Sequence, residues 1–321
     1  MGLLTEHGGN GVPLPYLLAR IAGRRAYLVA DWPQVLAAAE PLADLPPSPY
    51  RLAPEGGTDA GLWSGLQREF AWIHHQMGRG LQTIFEPFFL PLELRTLFMV
   101  LRLRSRGEEG PTPASVLRFS LLCSPVKRLL LEETDLPAIM AGVGANMDFW
   151  PGAGRVLPGI LQQQGMVGCE KRLVDACLGH TAGSRLHPAV ALFVTRLVDL
   201  ENIVLLAKIL RWRMAEHGFI KGGNIPEAHL REAARDLDGG QARRLIGRVL
   251  GVEADLASAA GLVPLMAARL GRILRRQGQE PDGVGLILDY LWRRLTETRN
   301  LSLLLHGADL DRLTLEKEMV S

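Results

Sequence analysis

The sequence predicts an all-α protein. Apolar residues recur at helical spacing over much of the chain, and no window alternates apolar and polar residues for the length of a strand. Aromatic residues are 6% of a chain that is 47% hydrophobic, and this Leu- and Ala-rich balance favours helix over sheet. The third observation is repetition. A long amphipathic stretch, Phe193–Gly223 (FVTRLVDLENIVLLAKILRWRMAEHGFIKGG), has an upstream echo at Phe88–Gly107 and a downstream one at Val284–Gly307. Glu93, Asp199 and Glu297 fall in register, as do Thr96, Asn202 and Asn300, each of these three followed by Leu97, Ile203 or Leu301. The copies stand roughly a hundred residues apart, which divides the chain into repeats at 1–110, 111–222 and 223–321. Each copy ends in glycine (Gly107, Gly218, Gly307), where a helix C-cap favours a residue that tolerates positive φ.

Taken in order, residues 1–12 carry Gly8, Gly9 and Gly11 and read as a frayed start. Leu14–Leu28 has helical periodicity with Arg20, Arg24 and Arg25 between apolar positions. Asp31 is placed to cap a second helix with Pro33 in its first turn. Pro41, Pro46, Pro47, Pro49 and Pro54 then deny the helical ladder and predict a loop. A helix is expected from Asp59 to about Gly78, then a kink near Pro87–Pro91, then the first long repeat helix. GEEGPTP (Gly107–Pro113) marks the first boundary. Short helices are expected at Ala114–Leu122, Val126–Glu132, Leu136–Ala145 and Val156–Gln164, with Asp135 and Asp148 as cap or turn residues and Gly152–Gly159 as a loop. Glu170–Leu178 leads to the central helix, with Pro188 in its first turn, and KGGNIP (Lys221–Pro226) is the second boundary. The last third reads as Glu227–Leu237, Gln241–Val249, Glu253–Arg276, a turn at Gln277–Gly283, the third repeat helix and a terminal helix Asp309–Glu318.

Composition narrows the function. The 36 basic and 34 acidic residues leave a formal charge of +2, without the strongly basic footprint of a nucleic-acid binder. Cys123, Cys169 and Cys177 form no disulfide or zinc framework and read as reduced small hydrophobes. The first residues lack a basic start followed by an apolar core, so no secretory leader is expected. The best uncharged run, Leu256–Ala268, is well short of the roughly 17–25 residues a spanning helix needs.

No chemical motif completes itself. Gly142-Val-Gly144 and Gly152-Ala-Gly154 lack the third glycine of a dinucleotide fingerprint, which Met147 and Leu157 replace, and no strand precedes them. His74 and His75 are adjacent, so they do not share a helix face as metal ligands would. His180 and His187 have no ligand partner at suitable spacing, and Ser64 lacks the flanking glycines of a nucleophile elbow. No catalytic residue, metal or cofactor is therefore expected. The repeated acid-x-x-Asn/Thr is read as a packing device, because one active site rarely needs three equal copies. Residues i and i+3 share a helix face, and a polar pair buried there must be hydrogen-bonded or costs about 1–3 kcal/mol per group.

Four stretches together carry a resemblance: Tyr16–Leu28, Val198–Trp212, Gly218–Ile225 and Pro281–Gly307. In this order the chain resembles the C-subunit family of archaeal/vacuolar-type rotary ATPases, whose member in the eukaryotic vacuolar enzyme is designated d. Thr96 departs from the Asn that the pattern leads one to expect in the first copy. The resemblance implies an all-α funnel of three similar helical bundles about a pseudo-threefold axis. It implies a non-catalytic rotor part on the cytoplasmic face of the membrane. Its partners would be the membrane proteolipid ring and the central shaft, built of the D and F proteins of the complex. For such a joint the arginine-rich helix ends are the candidate contacts: Arg102, Arg104 and Arg106, Arg211 and Arg213, and Arg293, Arg294 and Arg299. The alternatives are a helical-repeat adaptor unconnected to a rotary machine, and a helical enzyme whose site is assembled from distant residues.

Overall fold

The computed structural model describes residues 2–5, 9–38, 42, 45, 47–50, 59–106, 112–214, 218–236, 238–251, 259–307 and 310–320, with the side chains of 106, 259 and 260 left out. Among these residues the fold is all-α, with one isolated antiparallel bridge, Leu4–Leu122. The helices are α1 (Leu14–Arg25), α2 (Trp32–Ala37), α3 (Asp59–Gln76), α4 (Arg79–Arg106), α5 (Pro113–Leu117), α6 (Ser124–Glu132), α7 (Leu136–Ala145), α8 (Ala153–Ala182), α9 (Pro188–Trp212), α10 (Glu227–Arg235), α11 (Gly240–Leu250), α12 (Ala259–Gln277), α13 (Val284–His306) and α14 (Arg312–Glu318). They form two compact units: Met1–Pro13 with Gln67–Val190, and Leu14–Leu66 with Ala191–Ser321. The cuts fall just before α1 and inside α3 and α9.

In the first unit α4 is the apolar spine. Phe85, Phe88, Phe89, Leu94, Leu97, Phe98 and Leu101 are buried along it, and Phe88 and Phe89 meet edge to face at 5.3 Å. Pro87 and Pro91 lie inside this helix and do not end it. An interior proline costs about 3 kcal/mol; burial of the neighbouring phenylalanines, each worth about 1.5–3 kcal/mol, offsets it. The N-terminal residues depart from the frayed start expected of them. Leu3 and Leu4 are buried. Their backbone pairs with the segment after α5, through Thr5 N–H to Leu121 O at 2.7 Å and Cys123 N–H to Leu3 O at 2.9 Å.

A second correction concerns Gly152–Gly159. Instead of a loop, α8 begins at Ala153, with Gly152 at φ +85 as its N-cap. Gly154 serves packing, since a Cβ there would stand 2.6 Å from Ala141 O of α7. That approach brings α7 against the first turns of α8. The two short helices expected within Val156–Leu178 are one run, broken only at Gly165, whose φ of 68° and ψ of −170° are open to glycine alone.

In the second unit α9 packs on α10, α11 and α12 through Ile203, Leu206, Ala207, Leu230, Ile246 and Leu262. α13 is buried on nearly every side, including polar Asp289, Arg294, Glu297 and Asn300. α1 and α12 lie against it, while Trp32, Leu36, Leu62, Leu301, Leu304 and Met319 make a second apolar cluster near its end. The glycine stops do not take the left-handed form expected of them. α9 ends at Trp212, and Arg213 takes φ +47 in place of Gly218. α13 ends at His306, where Gly307 has φ −99 and donates to Leu303 O at 2.8 Å. Gly107 lies outside the described residues.

Candidate functional site

The acid-x-x-Asn/Thr positions sit on three long helices, α4, α9 and α13, and all six side chains are buried. Burial strips a carboxylate of water, so each needs compensating donors. Each obtains a backbone N–H from a segment outside its own helix. Glu93 accepts from Leu121 N–H at 2.8 Å and from Ser120 Oγ at 2.6 Å. Asp199 accepts from Ile225 N–H at 3.0 Å, and Arg196 stands at 3.4 Å from its other oxygen. Glu297 accepts from Val29 N–H at 3.0 Å and is ion-paired to Arg294. In every case one oxygen holds backbone and the other meets a side-chain donor.

The asparagines repeat a second device. Asn202 donates to Ile220 O at 2.8 Å and accepts from Ile220 N–H at 2.8 Å. Asn300 does the same to Val320, at 2.8 and 2.9 Å. A primary amide offers a donor and an acceptor side by side, so it grips both polar groups of one residue. Thr96 has a single hydroxyl; it donates to Leu92 O of its own helix and accepts from Gln67 at 3.3 Å. The departure noted in the sequence therefore removes the clasp from the first copy. The acids and asparagines hold irregular segments that carry their own backbone groups into the core.

Desolvation raises the pKa values of Glu93 and Asp199 above the ordinary carboxylate range. The backbone and side-chain hydrogen bonds pull in the opposite direction and are the smaller effect. KGGNIP wraps Asp199 closely. A Cβ on Gly223 would stand 3.3 Å from Val198 Cγ1 and would meet the Asp199 carboxylate, so this glycine is required by space. No group of three metal-ligating side chains occurs among the described residues. The arrangement holds chain segments in place.

The candidate arginines are dispersed. Arg102 pairs with Glu170 of α8, and Arg104 donates to Leu130 O. The Arg106 side chain lies outside the described part. Arg211 is exposed and lies 5.9 Å from the centre of the Trp212 ring, itself 58% exposed. Arg213 is exposed beside it, while Arg293 and Arg299 are half-buried. Arg294 contradicts the expectation of a surface contact. It is 2% exposed, ion-paired to Glu297, and donates to Tyr50 O. Its charge is consumed inside the unit, so reversing it would test the fold and not an interface.

Sequence reasoning missed the group around Asp289. This residue is fully buried on α13 and accepts from Arg25 of α1 at 2.9 Å. Arg293 follows it by four positions, the one signal that was legible; Arg25 is 264 positions away. No helix among the described residues is long and apolar enough to cross a membrane. No protein-family model and no curated protein matches the chain.

Proposed function

We propose that this chain is a non-catalytic rotor component of a V/A-type rotary ATPase, a socket joining the central shaft of D and F proteins to the membrane proteolipid ring. On this reading its helices make a funnel of three similar bundles about a pseudo-threefold axis. It sits on the cytoplasmic face of the membrane as a peripheral part of the complex, and passes torque that couples ATP hydrolysis or synthesis to ion transport. The observation that carries the reading is the repeated buried acid. Three long helices, roughly a hundred residues apart, each bury an acid that receives a backbone N–H from a separate segment. The third receives its N–H from Val29, a residue of the first copy, and this tie supports the reading. A part that transmits torque must resist shear with buried, fully hydrogen-bonded joints, because exposed ion pairs give only about 0.2–1 kcal/mol each.

The test is direct binding. The purified chain is immobilised and exposed separately to the D–F heterodimer and to detergent-solubilised proteolipid ring from the same source. Saturable binding to both, at about micromolar Kd or tighter, is the expected result. Binding to neither, with the chain folded by circular dichroism, rejects the rotor assignment in favour of an adaptor with other partners.

A further inference from the structure

Trp212, the last residue of α9, is 58% exposed, and Met214 beyond it is 36% exposed. The Trp212 indole N–H meets no hydrogen-bond acceptor among the described residues. Lys208 stands one turn before Arg211 and Trp212, on their side of the helix. The Arg211 guanidinium lies 5.9 Å from the centre of the Trp212 ring, and Arg213 follows directly. All three cations are exposed, and none makes an ion pair or a side-chain hydrogen bond among the described residues. From Asn202 to Ala215 the sequence holds these three bases and no acid. The flanking acids are Glu201, half-buried about two turns back, and Glu216, which lies outside the described residues.

The backbone supplies a second, independent observation. Met214 N–H donates to Ile209 O at 3.1 Å, and Arg213 takes φ +47 just before it. This is a Schellman closure, whose left-handed position belongs by preference to glycine. Arg213 is the one non-glycine residue with positive φ among the described residues. The helix dipole favours cations at a C-terminus and accounts for Lys208 and Arg211. It does not account for an arginine on strained backbone, or for a tryptophan left in water beside a methionine. Apolar area ringed by unpaired cations fits a surface that is anionic outside and apolar within.

We infer that Lys208, Arg211, Trp212, Arg213 and Met214 form a docking tip for an anionic phospholipid surface. Tryptophan favours the headgroup level of a bilayer, where its ring leaves water and its N–H stays wet. Lysine and arginine beside it are drawn to acidic headgroups. The charge alone would also suit an acidic protein; the unpartnered indole and the thioether next to it favour the lipid. The inference does not rest on the rotor assignment. Vesicles contain neither ring nor shaft, so binding to those proteins can fail while vesicle binding stands.

The full chain is co-sedimented in low salt with phosphatidylcholine vesicles, with and without phosphatidylserine. It should sediment with the phosphatidylserine vesicles only, and added sodium chloride should release it. Lys208→Gln, Arg211→Gln and Arg213→Gly should each weaken binding by about fivefold. Glycine suits the left-handed backbone, so Arg213→Gly keeps the fold while removing the charge. Trp212→Ala should weaken binding by about fivefold or more. Arg155→Gln, which removes an exposed cation from α8 in the first unit, should leave it unchanged. The site is overturned by absence of binding to phosphatidylserine vesicles, by unchanged binding of Trp212→Ala, or by equal weakening in Arg155→Gln and Arg213→Gly. Retention on polyglutamate resin without vesicle binding assigns the tip to an acidic protein and equally overturns the lipid surface.

Discussion

Replacing Asn300 with Leu isolates the amide clasp. The asparagine is fully buried, and both of its hydrogen bonds end on one residue, Val320. If the C-terminal segment stays in place, the Val320 N–H and C=O are both left unpaired. Each buried orphan costs about 1–3 kcal/mol, so the loss is roughly 2–6 kcal/mol. The segment has a second course, which is to leave. Met319 and Val320 are 4% and 7% exposed, and releasing two such side chains costs about 1.5–3 kcal/mol apiece. The two routes cost about the same, so Asn300→Leu should destabilise by at least about 2 kcal/mol whichever is taken. Asn202→Leu should cost less, because Ile220 is only half-buried and water can take over part of the asparagine's role. Urea unfolding gives the free energies, and native-state hydrogen exchange at the Val320 and Ile220 amides reports the clasp itself. Stability within about 0.5 kcal/mol of wild type for Asn300→Leu, with Val320 still protected, would refute the reasoning.

Glu93→Gln tests the buried charge. Glu93 has its native value raised above 4.5 by burial, so the folded state binds more protons than the unfolded state between those two values. Its contribution therefore favours folding below that window and is lost as pH rises through it. The Gln variant lacks this slope, and its melting temperature relative to wild type should be higher at about pH 8 than at about pH 5; the opposite order would contradict the burial effect. Gly165→Ala should destabilise by about 1–3 kcal/mol, because alanine does not tolerate the backbone at the break in α8; an unchanged urea midpoint would show that α8 adopts another path. Cys177, pushed up to about 12 by burial, and Cys169, also buried, should resist a thiol reagent in the native protein. Half-buried Cys123 should react first, and three equally fast thiols would contradict the packing.

Periodicity and cap chemistry made most helices legible. Asp31 and Asp135 cap α2 and α7 by accepting from Gln34 N–H and Ala138 N–H, as their positions implied. Pro188 opens α9. The failures are places where a distant contact reverses a local preference. The stretch 152–159 looks like a loop until α7 is laid against Gly154. Arg213 accepts a left-handed backbone that glycine would take more readily. The polar register of Glu93, Asp199, Asn202, Glu297 and Asn300 was visible as a pattern, because helical spacing is local. Its partners were not, since Ile220 is 18 residues from Asn202 and Val29 is 268 from Glu297. The arginines show the limit most clearly: nothing in the run Arg293-Arg294 tells which one turns inward, and only Glu297 and Tyr50 decide it.

The bond between Arg25 and Asp289 joins positions 264 apart, which makes assembly of this protein a problem of timing. At about 5–20 residues per second, a ribosome needs roughly 13–50 s to travel from one partner to the other. During that interval Leu17 and Ile21, wholly enclosed in the finished molecule, have not yet met α13. The opening helix must wait in solvent or in the grip of a chaperone for the closing one. Truncated or stalled chains should therefore be the sticky species in a cell that makes this protein.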